Sequence, residues 1–110
     1  VPLSVSRAET FRDLVQDSVE RLERRWPQLA DVDFMVLDVP GTQEETVPLG
    51  RAVSAAKDQP AQIVVYRRPV EIRTKSRDER ALLVHEVVVE QVAELLGLSP
   101  ESVDPRYGQD

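Results

Sequence analysis

Three carboxylates, Glu86, Glu90 and Glu94, stand at i, i+4 and i+8, with His85 and Gln91 beside them in the chain. On a helix that spacing puts the three acids on one face. Two readings of the strip are open. It is a solvated face whose like charges cost a few tenths of a kcal/mol per pair, or it lines a groove facing arginines or a hard cation, which takes oxygen ligands. Arg67, Arg68, Arg73, Lys75, Arg77 and Arg80 precede the strip and are its candidate counter-charges; Arg67 and Arg68 complete a candidate cleft with Glu86, Glu90, Gln91 and Glu94. His85 falls among Ala81, Leu82, Val88 and Val89, on the apolar side of the same helix. A lone histidine so placed is more often a core residue bonded to backbone or a carboxylate than a ligand or a base. Leucine in its place is then tolerated or mildly stabilising, provided that the hydrogen-bond partner is not left unpaired.

Subtraction narrows the chemistry. The chain has one histidine and no cysteine. Disulfides, thiolate metal sites, cysteine nucleophiles and iron–sulfur clusters are excluded, as is any zinc site within one chain that needs two histidines. His85-Glu86 opens like the zinc-binding pattern H-E-x-x-H, but the residue four beyond His85 is Val89. No histidine other than His85 could serve a nucleophilic serine. The glycines are scattered at 41, 50, 97 and 108 and form no phosphate loop. Acids on one helical face do not flank a bond as glycoside chemistry requires.

The elements that must position these residues follow from periodicity. Phe11, Leu14, Val15, Val19, Leu22 and Trp26 make one buried stripe of a first helix, with Ser6 and Glu9 as a capping box and Pro27 as its end. Val32 to Val39 reads as a strand apolar on both faces, stopped by Pro40-Gly41. Residues 41–60 are irregular, with an edge strand near Leu49 to Val53; Gln62 to Arg67 is a second clear strand, which Val70 to Arg73 extends beyond a kink at Pro69. The last long helix runs from about Arg77 to Leu96, capped by Ser76 with Glu79 and stopped by Gly97. Its wide apolar arc marks it as a central helix. Ser99-Pro100-Glu101 opens one more short turn.

Composition bounds the class. The 110 residues are 41% apolar and 31% charged, enough for one domain with a real core, taken as residues 1–110. A net charge of -6 argues against a general nucleic-acid binder. No apolar run approaches the ~20 residues of a membrane span, and no signal peptide is visible. Position 1 is Val rather than Met, so nothing is read from where the chain begins.

The ordered set now resembles a known family. An amphipathic helix with Phe11-x-x-Leu14-Val15 comes first, then a strand ending Asp38-Val39-Pro40. A second strand exits through Tyr66-Arg67-Arg68-Pro69-Val70, and the long helix ends in Gly97-Leu98-Ser99. This is similar to very small zincin-like proteins, often labelled metallopeptidase family proteins and found largely in actinobacteria. The resemblance covers nearly the whole chain. It implies an α+β fold: a minimal zincin-like domain with a small β-sheet packed against an N-terminal helix and a central C-terminal helix. Active members carry H-E-x-x-H-x-x-G-x-x-D on the last helix. In the register of Gly97, the two histidines fall at Glu90 and Glu94, the catalytic glutamate at Gln91 and the aspartate at Pro100. None of the four matches, and Gln91 cannot be a base because an amide does not titrate.

The expectation is therefore a degenerate, non-catalytic member, without zinc or another cofactor. It is expected to act in the cytoplasm through binding another protein, not nucleic acid or a membrane. A metal-dependent hydrolase with a non-standard carboxylate site and a structural subunit of a cytoplasmic assembly are the alternatives.

Overall fold

The computed structural model describes residues 3–39 and 48–108. The chain runs as α1 (Leu3–Arg25), a 3-10 turn (Pro27–Asp31), β1 (Asp33–Leu37), β2 (Gly50–Val53), β3 (Gln62–Tyr66), α2 (Arg67–Arg73), α3 (Arg77–Leu96) and α4 (Pro100–Val103). The three strands form one sheet in the order β1-β3-β2, with β1 parallel and β2 antiparallel to β3. This is an α+β architecture. Among the described residues no helix is long and apolar enough to cross a membrane.

The stripe on α1 buries Phe11, Leu14, Val15, Val19 and Leu22, while Arg12, Asp13, Asp17, Glu20 and Arg24 stay exposed. It packs with Val84, Val88 and Val92 of α3 and Ile63 and Val65 of β3 in one core. α1 begins at Leu3, so Ser6 lies inside the helix and not at its cap as the sequence suggested.

Two further expectations are corrected. The strand at Val32–Val39 is not covered on both faces. β1 lies at the sheet edge and alternates, leaving Met35 and Leu37 exposed while Phe34 and Val36 turn inward. The fully covered strand is β3, whose edges are both paired. The second correction concerns Val70–Arg73, which belong to helix α2 and do not extend β3. Pro69 sits in the first turn of α2, where its missing N–H takes no helical bond away. Arg67 then reaches Glu71 one turn on, at 3.1 Å, and Thr74 Oγ1 donates to the Val70 carbonyl at 3.0 Å. These local bonds outweigh the alternation of Val70-Glu71-Ile72-Arg73. The stop at Pro40-Gly41 and most of the irregular stretch to residue 47 lie outside the described residues.

Valine-rich α3 is a helix because both ends are fixed and its surroundings are apolar on several sides. Ser76 Oγ accepts from the Glu79 N–H at 3.1 Å. At the other end Gly97 takes φ 72° and ψ 31°, a left-handed conformation costly for other residues, and the Leu98 N–H returns to the Ala93 carbonyl at 2.9 Å. Between them Val84, Val87, Val88, Val89, Val92 and Ala93 are buried. Beyond Gly97 the chain turns back: Ser99 caps α4, Val103 is buried, and the Trp26 indole N–H donates to the Val103 carbonyl at 2.9 Å. That return carries Asp104 and Tyr107 onto α3.

Candidate functional site

The helix α3 presents the sequence-derived positions on different sides. Glu90 and Glu94 are exposed, and Glu86 is half-buried. Gln91 turns toward the sheet: its Cγ would lie 3.1 Å from a Cβ built on Gly50 in β2, and its Oε1 is buried without a hydrogen-bond partner among the described residues. Arg67 does not answer the acidic strip. It pairs with Asp38 at 3.0 Å and with Glu71, while the exposed Arg68 holds the Asp38 carbonyl only through its backbone N–H. The counter-group that does meet the strip is Tyr107, whose hydroxyl donates to Glu90 Oε2.

The lone histidine is fully engaged. His85 Nε2 lies 2.6 Å from Asp104 Oδ2, and Nδ1 lies 2.7 Å from Ser18 Oγ. An ionised carboxylate only accepts, so Nε2 carries the proton toward Asp104. The Asp104 Oδ1 atom accepts from the Arg106 N–H at 3.0 Å. Burial pushes the Asp104 carboxyl up, but the bonds from His85 and from the Arg106 backbone outweigh it and hold the group below the usual carboxylate range. The residue types are those of an acyl-transfer triad, but the geometry is not. Ser18 is 0% exposed in mid-helix and leaves no face for a substrate carbonyl. The three side chains are a structural clasp joining α1, α3 and the segment after α4.

Sequence reasoning placed His85 in the core with a hydrogen-bond partner and missed both partners. Ser18 could have been found: it falls on the α1 stripe four residues after Leu14, a polar side chain on an apolar face. Asp104 left no comparable signal, because only the turn at Gly97 brings it back to α3.

The Tyr107–Glu90 contact gives a pH prediction. The bond to Glu90, with burial and the charges of Glu90, Glu86 and Glu101, raises the Tyr107 hydroxyl from 10.0 to about 12. A group raised on folding stabilises in full below its unfolded pKa, so this contribution is intact below about pH 10. It fades as pH climbs toward 12. Melting curves of the native chain and of Tyr107→Phe should therefore differ by a constant amount up to about pH 10 and converge above it. A difference that does not change between pH 9 and 12 would refute the assignment.

A zincin fold implies zinc, and the donor set here does not fit it. The positions in register with Gly97 offer Glu90, Gln91, Glu94 and Pro100: two carboxylates, an amide and a proline, with Glu90 already bonded to Tyr107. Both ring nitrogens of His85 are engaged. Among the described residues, no group of three or more His, Cys, Asp or Glu side chains is placed to hold a metal ion.

A helix-rich α+β domain with a mixed sheet and a long helix ending at a left-handed glycine defines the class. The family model for zincin-like metallopeptidases matches residues 42–109, and the chain belongs to that family. No curated protein matches the chain.

Proposed function

We propose that this zincin-like protein does not cleave peptides and acts by binding another protein, in the cytoplasm. The observation that carries the reading is the chemistry of the four positions on α3 and α4. A zinc hydrolase needs neutral nitrogen ligands that leave the metal acidic enough to activate water, and a carboxylate to take the proton. Carboxylates at Glu90 and Glu94 would weaken the Lewis acid, and Gln91 cannot take a proton. What favours a protein partner is the edge strand β1, whose unpaired backbone edge is a ready template for pairing and whose Met35 and Leu37 are exposed, with exposed Val39 just beyond it.

Zinc content and affinity test the proposal. After mild purification the native protein should hold well under one zinc per chain, and a chelator should leave its melting curve in place. A site filled at 100 times its dissociation constant would contribute about 2.7 kcal/mol, a loss easily seen. Glu90→His, Gln91→Glu, Glu94→His and Pro100→Asp together should create zinc affinity. A control carrying Val89→His, which builds the pattern on His85-Glu86, should not, because His85 is held by Ser18 and Asp104. Stoichiometric zinc on the native chain, or peptide cleavage that a chelator abolishes, would overturn the non-catalytic reading.

A further inference from the structure

Two adjoining hollows open where the end of α1 meets the segment after α4. The first, about 220 Å3, is walled by Arg21, Arg25 and Arg106, with Leu22 and Val103 as its apolar lining. His85 and Asp104 close one side, and a second hollow of about 200 Å3 continues past them to Glu86 and Tyr107. Arg21 and Arg25 stand one turn apart on α1, and like charges so placed disfavour a helix. The negative end of the α1 dipole accounts for a cation in its last turn. It does not account for Arg106 arriving from another element. Among the described residues, none of the three guanidinium groups has a carboxylate within ion-pair distance, as holds for every described arginine except Arg67, although the charge of Arg106 still acts on Asp104. Asp104 is the sole carboxylate lining the first hollow, and both its oxygens are engaged, by His85 and by the Arg106 N–H.

We propose that this hollow binds a phosphate group, gripped by Arg21, Arg25 and Arg106. Guanidinium presents paired N–H donors in a planar fork that matches phosphate oxygens. A phosphate dianion has enough oxygens and charge for three such forks, whereas a single carboxylate serves one. The hollow, which continues into the second one, has ample room for a phosphate group, and a free phosphate ion and a phosphorylated side chain inserted from a partner are the two sources of that group. This site is independent of the zincin positions and of whether they are catalytic.

Calorimetric titration of the full chain with inorganic phosphate at constant ionic strength, with chloride as the reference, tests the site. Saturable binding to phosphate and none to chloride is expected. Arg21→Gln and Arg106→Gln should each weaken it at least tenfold, whereas Arg12→Gln, an exposed arginine on α1 that does not line the hollow, should leave it unchanged. A phosphoserine peptide forms the second arm: tighter binding than phosphate puts the group on a partner, equal or weaker binding makes it a free ion, and both uphold the site. The arginine Nε resonances of the unsubstituted protein give a readout that needs no variant, and those of Arg21, Arg25 and Arg106 should move most. Failure of both probes to saturate, unchanged affinity in both hollow variants, or shifts confined to other arginines would overturn the proposal.

Discussion

Replacing His85 by leucine should destabilise the protein by about 2–4 kcal/mol. Leucine fills the site with apolar surface, which on its own is favourable in a core. The loss comes from what the imidazole leaves behind. Ser18 Oγ, 0% exposed, would have no partner on α3, and the half-buried Asp104 carboxylate would keep its charge without the Nε2 donor. A buried hydroxyl left unpaired costs about 1–3 kcal/mol and a charged group more. The condition under which the sequence allowed leucine is therefore not met, since two partners are stranded. For a chain of this length each kcal/mol moves the midpoint by about 4 °C, so thermal unfolding will show the effect clearly. Removing the stranded groups as well, in Ser18→Ala/His85→Leu/Asp104→Ala, should recover more than half the loss, because apolar replacement of a whole polar cluster is nearly neutral. A single His85→Leu variant as stable as the native chain would show that the clasp contributes nothing.

Gly50→Ala is the second substitution with a large expected cost, about 1–3 kcal/mol from overpacking. The glycine lies in β2 where the strand meets α3. A Cβ there would come within 2.8 Å of Val87 Cγ1, 3.0 Å of the Val64 carbonyl oxygen and 3.1 Å of Gln91 Cγ. Val87 is buried and β-branched, so its methyl cannot swing aside, and the Val64 oxygen belongs to the central strand. Either β2 separates from α3 or the sheet bends. Val87→Ala would cost stability by itself through the space it opens, but would remove the shortest of these contacts. The two changes should therefore combine with less than the sum of their separate losses, measured by denaturant unfolding of all four members of a cycle. Strict additivity, or a Gly50→Ala variant as stable as the native chain, would show that β2 and α3 are not in close contact.

The α1 stripe, the strand at Gln62–Tyr66, the long helix with its Ser76 and Gly97 ends, and the Ser99 cap were legible in the sequence. Each is fixed by residues within a few positions of one another: an apolar repeat, a hydroxyl before a first turn, a glycine after a last one. The family was legible too, because the order and spacing of such local pieces carry the resemblance. Elements decided by neighbours in space were misread. Met35 and Leu37 look like core in Val-Asp-Phe-Met-Val-Leu-Asp-Val, and only the strand order β1-β3-β2 makes β1 an edge with one exposed face. Val70 to Arg73 alternate like a strand, yet Arg67, Glu71 and Thr74 close a helical turn there.

The same division runs through the sites. Residue types alone excluded a two-histidine zinc site within this sequence, since one histidine and no cysteine cannot be rearranged into one by any fold. Types also marked His85 as a polar group in need of a partner. They did not say which partner, because Ser18, His85 and Asp104 are separated by 67 and 19 residues, and hydrogen bonds over such spans depend on how helices pack. Nor did they gather Arg21, Arg25 and Arg106 at one hollow. Charge counted along the sequence made this an acidic protein. The turn at Gly97, which folds residues 98–108 back onto α1 and α3, made one small part of its surface basic.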